Sequence, residues 1–327
     1  MKRRNFIQAG IALGATVGAP TLVLAQRATA KWPSQPIKLI VAFGPGGSTD
    51  VTARVISAKL MDIIGQRIVI ENRPGGGSNI GSEQAAKSPA DGYTLFLGTV
   101  ANAINMSLYK NPGYNLLKDF APISSTSSAP AVLVCSSKLP VKTVQELIKL
   151  AKDRPGKMNY ASSGVGTTPH LAGEMFKSRF GLDVAHIAYK GAAPALTDTI
   201  SGVTDFGFKT ALSAIPSIQA GQLTPLAVAS SQRLALLPNV PTMAEVGIVD
   251  FEITSWNGLF APTGTPTDII DRLSAACATV AKMKDVQEAF AAQAATVTSS
   301  TPDQFRKFVA AEIKMWGDVV RLTGATA

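Results

Sequence analysis

The chain has 327 residues, with 31 basic against 22 acidic, a net charge of +9 at neutral pH and only two cysteines. That length allows a sizeable core and favours two domains. The moderate positive charge suits a small anionic ligand. The basic residues are scattered and are not interleaved with aromatics, which argues against a nucleic-acid surface.

Lys2, Arg3 and Arg4 precede a moderately apolar, Ala- and Gly-rich stretch from Phe6 to Val23, and Val23-Leu24-Ala25 forms a small-residue cleavage pattern. Arg3-Arg4-Asn5-Phe6-Ile7 also fits a twin-arginine export signal. The expectation is an exported, soluble, periplasmic protein cleaved after about Ala25 or Ala30. Past the leader, Ile37-Lys38-Leu39-Ile40-Val41 predicts a buried parallel strand, broken by Gly44-Pro45-Gly46-Gly47. Ser48 and Thr49 are N-cap residues, and Val51, Val55, Ile56, Leu60, Ile63 and Ile64 recur at helical spacing. Strand, glycine loop and helix start together aim backbone N–H groups and a helix dipole into one crevice, where a carboxylate or phosphate is stabilised.

A second strand is expected over Arg67–Asn72. RPGGGSNIG then turns into a short helix reaching Lys87, and Thr94–Thr99 forms a third strand. This alternation indicates a doubly wound α/β sheet, whose ligands sit beyond the carboxyl ends of the strands. On that rule Thr99 and Asn102 face the crevice of Ser48. Ser124 to Ala131 (SSTSSAPA) is small and polar, and is expected to be a linker or crossover. Thr143 and Glu146 open the next helix as a capping box.

Then the first pattern returns. Met158–Ala161 is a strand, SSGVGTTPH a loop with Gly164 and Gly166, and a helix carries Leu171, Met175, Phe176 and Phe180. Two such cradles on opposite sides of a linker imply two lobes gripping one ligand. Further strands are expected at 184–189, 206–208 and 225–229, with helices from Ala193 to Ser201 and from Ala214 to Ala220. Near Glu252 to Gly258 an extended segment crosses back. Helices starting at Thr265-Pro266 and Thr301-Pro302, the latter with Gln304 completing a capping box, close the first lobe. The expected organisation is a leader over 1–25, lobe 1 over 31–130 and 255–327, and lobe 2 over 131–254, with two crossing segments as the hinge.

Catalytic chemistry is thin. The histidines are His170 and His186. His170 and Glu174 stand four apart without completing H-E-x-x-H, GPGGST lacks the lysine of a phosphate loop, and no G-x-S-x-G elbow occurs. Neither a metal nor a cofactor is expected. Cys135 and Cys277 are expected to be buried and unpaired. A hydrolase using Ser48 or Ser163 with His170 is the enzymatic rival to ligand binding without chemistry.

The runs WPSQPIKLIVAFGPGGSTDVTARVISAKL, VIENRPGGGSNIGSEQAAKSPADGYTLFLGT, NYASSGVGTTPHLAGEMF, YKGAAPALTDTISG, LPNVPTMAEVG and TSWNGLFAPTGTP resemble, in this order, the Bug-type substrate-binding proteins of tripartite tricarboxylate transporters. The resemblance implies an α/β, type II-like periplasmic-binding-protein fold of two doubly wound lobes on a two-segment hinge. It further implies capture of a di- or tricarboxylate or aromatic acid by a monomer, and delivery to membrane transporter subunits. A ligand receptor serving a signalling partner is the remaining rival. Carried over by position, the first-lobe contacts are Phe43, Gly44, Gly47, Ser48, Thr49, Asp50, Thr99 and Asn102. Those of the second lobe are Ser162, Ser163, Gly166, Thr167, Thr168 and His170, with Ala188 to Lys190 at the rim. Two departures stand out. Gly44 replaces a usual proline, and Phe208-Lys209-Thr210 replaces a usual phenylalanine, aspartate, asparagine tip. With Lys209 and Thr210 facing the cleft, the exchange favours a ligand with a second carboxylate over an amino acid.

Overall fold

The computed structural model describes residues 32–327; the export leader expected from the sequence lies outside the described residues. In chain order the elements are β1 (Ile37–Val41), α1 (Ser48–Ile64), β2 (Ile68–Asn72), α2 (Asn79–Ala86), β3 (Thr94–Thr99), α3 (Val100–Leu108) and β4 (Phe120–Ser136). They continue with α4 (Val144–Asp153), β5 (Met158–Ser162), α5 (Thr168–Phe180), β6 (Val184–Ala188), α6 (Ala192–Ser201), β7 (Phe206–Thr210), α7 (Ala211–Gln219) and β8 (Leu223–Ala229). The chain finishes with β9 (Thr254–Pro262), α8 (Thr267–Ala281), α9 (Lys284–Ala291), β10 (Thr296–Val297) and α10 (Pro302–Thr323). Among the described residues, no helix is long and apolar enough to cross a membrane.

The strands run in the order β2-β1-β3-β9-β4-β7-β5-β6, with β8 and β10 also paired to β4. β1 lies parallel to β2 and β3, and β5 parallel to β6 and β7, as expected of strands joined through crossover helices. Strand β1 is buried on both faces. Ile37, Leu39 and Val41 pack with Ile56 and Leu60 of α1 and Leu273 of α8, while Ile40 faces the cluster of Phe96, Ile104 and Phe120. Each such aliphatic side chain contributes roughly 1.5–3 kcal/mol of burial.

The two lobes share one strand. The Phe120–Pro130 part of β4 pairs with β9 of the first lobe, and the Ala131–Ser136 part pairs with β7 and β8 of the second. The polar run read as a linker is therefore the middle of a 17-residue strand. Its periodicity is masked because Ser124, Thr126 and Ser127 are small enough to be buried, and the register against β9 slips at two places. The return crossing is tied to the outgoing one: Ala131 N donates to Ile253 O, and Ile253 N donates to Ala229 O, both at 2.9 Å.

Helix α3 has no counterpart among the sequence-based expectations. Its capping box is made by Thr99 and Asn102, an asparagine where Glu or Gln is the familiar partner. The Thr143–Glu146 and Thr301–Gln304 boxes form as the sequence implies. Both cysteines are buried and free.

Candidate functional site

Five helices begin at one cleft between the lobes: α1, α3, α5, α6 and α7. Four of them, α1 from Gly47, α5 from Thr167, α6 from Gly191 and α7 from Thr210, start without any side-chain cap on their first N–H groups. Only α3 is capped, by Thr99. The cleft is narrow, and not one of its lining side chains is charged. Its potential is therefore that of convergent helix dipoles and unused N–H groups, which favours an anion without presenting a cation.

The first lobe lines it with Phe43, Gly47, Ser48 and Thr49, and with Thr99, Val100 and Ala101 at the tip of β3. The second supplies Ser163, Thr167, Thr168, Pro169, Ala192 and Thr210. The hinge strand β9 adds Ser255, Trp256 and Asn257, which sequence reasoning treated as a plain crossover. Their signal was available. The chain crosses between lobes there, and a crossing segment necessarily passes the base of the cleft.

Other expected contacts stand behind the lining and shape it. Asp50 accepts from Arg54 Nε at 2.9 Å, Gly46 N at 3.0 Å and Asn72 Nδ2 at 3.0 Å. Burial pushes its carboxyl up, yet the bonds from Arg54, Gly46 and Asn72 outweigh this and hold it below the usual range. Asn102 is wholly buried and turned away from the cleft, accepting from Thr99 N at 2.8 Å and donating to Tyr114 Oη and Ser82 Oγ. It fixes the tip of β3 rather than facing the crevice. Gly44 faces the other lobe, where a Cβ would lie 3.3 Å from Lys190 O.

The second loop is braced by neutral groups. Gly164 N donates to Ser162 Oγ at 3.1 Å, Thr167 Oγ1 to Gly164 O at 2.7 Å, and Gly166 N to His170 Nδ1 at 3.3 Å. Below it Tyr160, His186 and His170 stack, with centroids 4.8 and 4.3 Å apart. Burial lowers the pKa of both imidazoles, that of His186 to about 4 with the neighbouring His170 charge adding to the effect. Both rings are neutral at physiological pH, as an accepting Nδ1 on His170 requires. The hydroxyl–imidazole pair in this lobe is Ser162 with His186, 2.6 Å apart, and not Ser163 with His170. Ser162 is fully buried and its Oγ is engaged with Gly164, so the pair holds the loop in place.

Lys209 is the clearest correction. The sequence reading sets it at the ligand; the structure buries it one layer behind, with Nζ 3.3 Å from Ala161 O and from Ala195 O. Successive residues of a strand point to opposite faces; Thr210 lines the cleft, and Lys209 is directed under α6. With no carboxylate beside it, burial lowers its pKa to about 7.

The lobes touch through glycine. A Cβ on Gly77 would overlap the carbonyl oxygen of Val165, and one on Gly166 would overlap Asn105 Oδ1. Contacts this close exist only with the cleft shut.

Two α/β lobes on a shared strand, shut over an anion-favouring cleft, define a two-lobed solute-binding protein. The chain belongs to the tripartite tricarboxylate transporter family receptors, whose family model matches residues 52–324. It is 42% identical over 296 residues to Protein BugT of Bordetella pertussis, covering 90% of this chain and 91% of that one. Among solved structures, an R. palustris protein with adipate superposes with a TM-score of 0.87 at 35% identity, over 90% of this chain and 99% of the other. MatC from Rhodopseudomonas palustris with bound malate gives 0.85 at 29% identity, over 88% and 99%.

Proposed function

We propose that this protein captures a small carboxylate, a di- or tricarboxylate or an aromatic acid, between its lobes and delivers it to a membrane transporter of the tripartite tricarboxylate type. The observation that carries the reading is the convergence of five helix N-termini, four of them uncapped, on a cleft without a charged side chain. Family membership and the acids bound by two similar structures support it. In this reading the leader directs the chain to the periplasm and is removed after about Ala25 or Ala30. Lobe 1 comprises residues 31–130 and 255–327, and lobe 2 residues 131–254. Ser48, Thr49, Thr99, Ser163, Thr167, Thr168 and Thr210 touch the ligand, while Asp50, Asn102, Ser162, Gly166 and His170 hold the loops that do so. The ligand stabilises the closed state because only there does it meet both lobes.

The test is thermal unfolding and calorimetry of the exported chain against a panel of carboxylates and their matched amides. A ligand at about a hundred times its dissociation constant adds roughly 2.7 kcal/mol of stability. A rise for acids but not amides, with the acid recovered unchanged, is the expected result. Turnover of the acid, or no rise with any, would overturn the reading.

A further inference from the structure

A second cavity, of about 590 Å³, lies against the same hinge, bounded by β4, β9 and α10. Its size is within the roughly 300–1,000 Å³ of small-molecule sites. Trp256 and Trp316, both buried, form its floor, and Phe308 and Met315, 41% and 45% exposed, form its rim. The rings of Phe305 and Phe308 lie within 16° of parallel, and Trp256 stands at 88° and 72° to them, so aromatic walls meet near right angles. Glu312 is half-buried in this lining. Its Oε2 accepts from Trp256 Nε1 at 2.8 Å and from Trp316 Nε1 at 3.1 Å, while its Oε1 has no partner among the described residues. Service to the two indoles accounts for one oxygen only. The other is not sealed off: the buried, unpartnered side-chain atoms of the described residues lie on Trp32, Ser57, Asn105, Thr126 and Asn257. Burial raises the Glu312 carboxyl above its ordinary range, and the indole bonds oppose this without cancelling it. Glu252 adds a second, exposed carboxylate, and no Lys, Arg or His lines the cavity, in a chain whose net charge is +9.

We infer that this cavity is a second ligand site that takes a small organic ammonium, with Glu312 Oε1 as its counter-charge and the aromatic rings against its carbon groups. An anion would meet two carboxylates. A neutral apolar molecule would fill the aromatic walls but leave the charge of Glu312 uncompensated. A bare metal ion needs a shell of oxygens that a floor of indoles does not offer. An ammonium carrying carbon groups satisfies both features, because its charge is attracted by the carboxylate and by the ring faces. Trp256 is the one described residue that lines this cavity and the inter-lobe cleft, so the two sites are separate and the inference does not depend on what the cleft binds.

The experiment is titration of the exported chain with two matched pairs, choline against 3,3-dimethylbutan-1-ol and benzylammonium against benzyl alcohol, followed by calorimetry and tryptophan fluorescence. Two of the three tryptophans line the cavity, so occupancy is expected to change the emission. In at least one pair the cation binds at least about tenfold more tightly than its uncharged partner. Glu312→Gln, which keeps an acceptor for both indoles, lowers that cation's affinity at least about tenfold. Phe308→Ala, at an exposed position, lowers it at least about threefold and decides the matter should the first variant fail to fold. Equal binding of the uncharged partners, no binding of either cation below about 10 mM, or cation binding untouched by both substitutions would overturn the inference.

Discussion

The two loops that face each other across the cleft are built from the same motif and held in opposite ways. The loop entering α1 is braced by an ionised group, Asp50, gathering Arg54, Asn72 and Gly46 N. The loop entering α5 is braced by a serine hydroxyl, a threonine hydroxyl and a neutral histidine above a three-ring stack. Asp50, Ser162 and His170 are withdrawn from the cleft and only Thr167 of the braces also lines it, so the cleft presents hydroxyls and N–H groups while charge stays in the support. Equivalent anion cradles therefore do not need equivalent scaffolds, and the two halves should fail under different conditions.

The largest effect should come from preventing the halves from meeting. Gly77→Ala places a Cβ against the Val165 carbonyl only in the closed form, and ligand affinity should fall by at least about 100-fold by calorimetry. The substitution also strains the positive φ of Gly77, at a cost of about 1 kcal/mol in its own lobe. Breaking the charged brace is next: Asp50→Ala leaves Gly46 N without its acceptor and Asn72 Nδ2 with the Phe43 carbonyl alone, and should cost about 2 kcal/mol in denaturant unfolding.

Lys209 tests the layer beneath the second loop. Between about pH 7 and 10.5 the unfolded chain holds a proton on this amine that the native state does not, so native stability rises with pH across that window. Lys209→Met should accordingly stabilise the protein by about 2 kcal/mol at pH 7, with the advantage shrinking as pH is raised. A gain independent of pH would show that the amine is not the cause.

Acid separates the two braces. His186 falls from its ordinary 6.5 to about 4 in the native state, so from pH 6.5 down to 4 the unfolded chain takes up a proton that the folded one refuses, and stability declines. Asp50 behaves differently. Its native pKa is held below 3.8, so its contribution is intact across that range and is lost only at lower pH. His186→Gln should remove part of the decline between pH 6.5 and 4.5, a difference of roughly 2–4 °C in melting temperature, whereas Asp50→Ala should leave the slope unchanged. The smallest effect is reserved for Gly44→Ala. Its Cβ would lie 3.3 Å from Lys190 O, a contact relieved by a slight shift of the lobes, and affinity should change by less than about threefold.

Much of the molecule was legible because its signals are local. The apolar run at Ile37–Val41, the glycine break and the Ser48–Thr49 start specify a strand, a turn and a helix whatever surrounds them, and the same holds for Met158 to Phe180. The capping boxes at Thr143 and Thr301 are likewise written in residues three apart. What the tertiary structure decided is where side chains point once strands pair. Lys209 and Thr210 are neighbours in sequence and lie on different layers, because strand alternation places one under α6 and the other in the cleft. The serines of β4 read as a linker until their burial against β9 and the lobe-spanning pairing are known. Ser255, Trp256 and Asn257 join the site from about 200 residues downstream of Ser48, brought there by β9 lying beside β3 and β4. Local propensity acts over a few residues; the cleft is assembled by contacts hundreds of residues apart, and its lining is decided at that range.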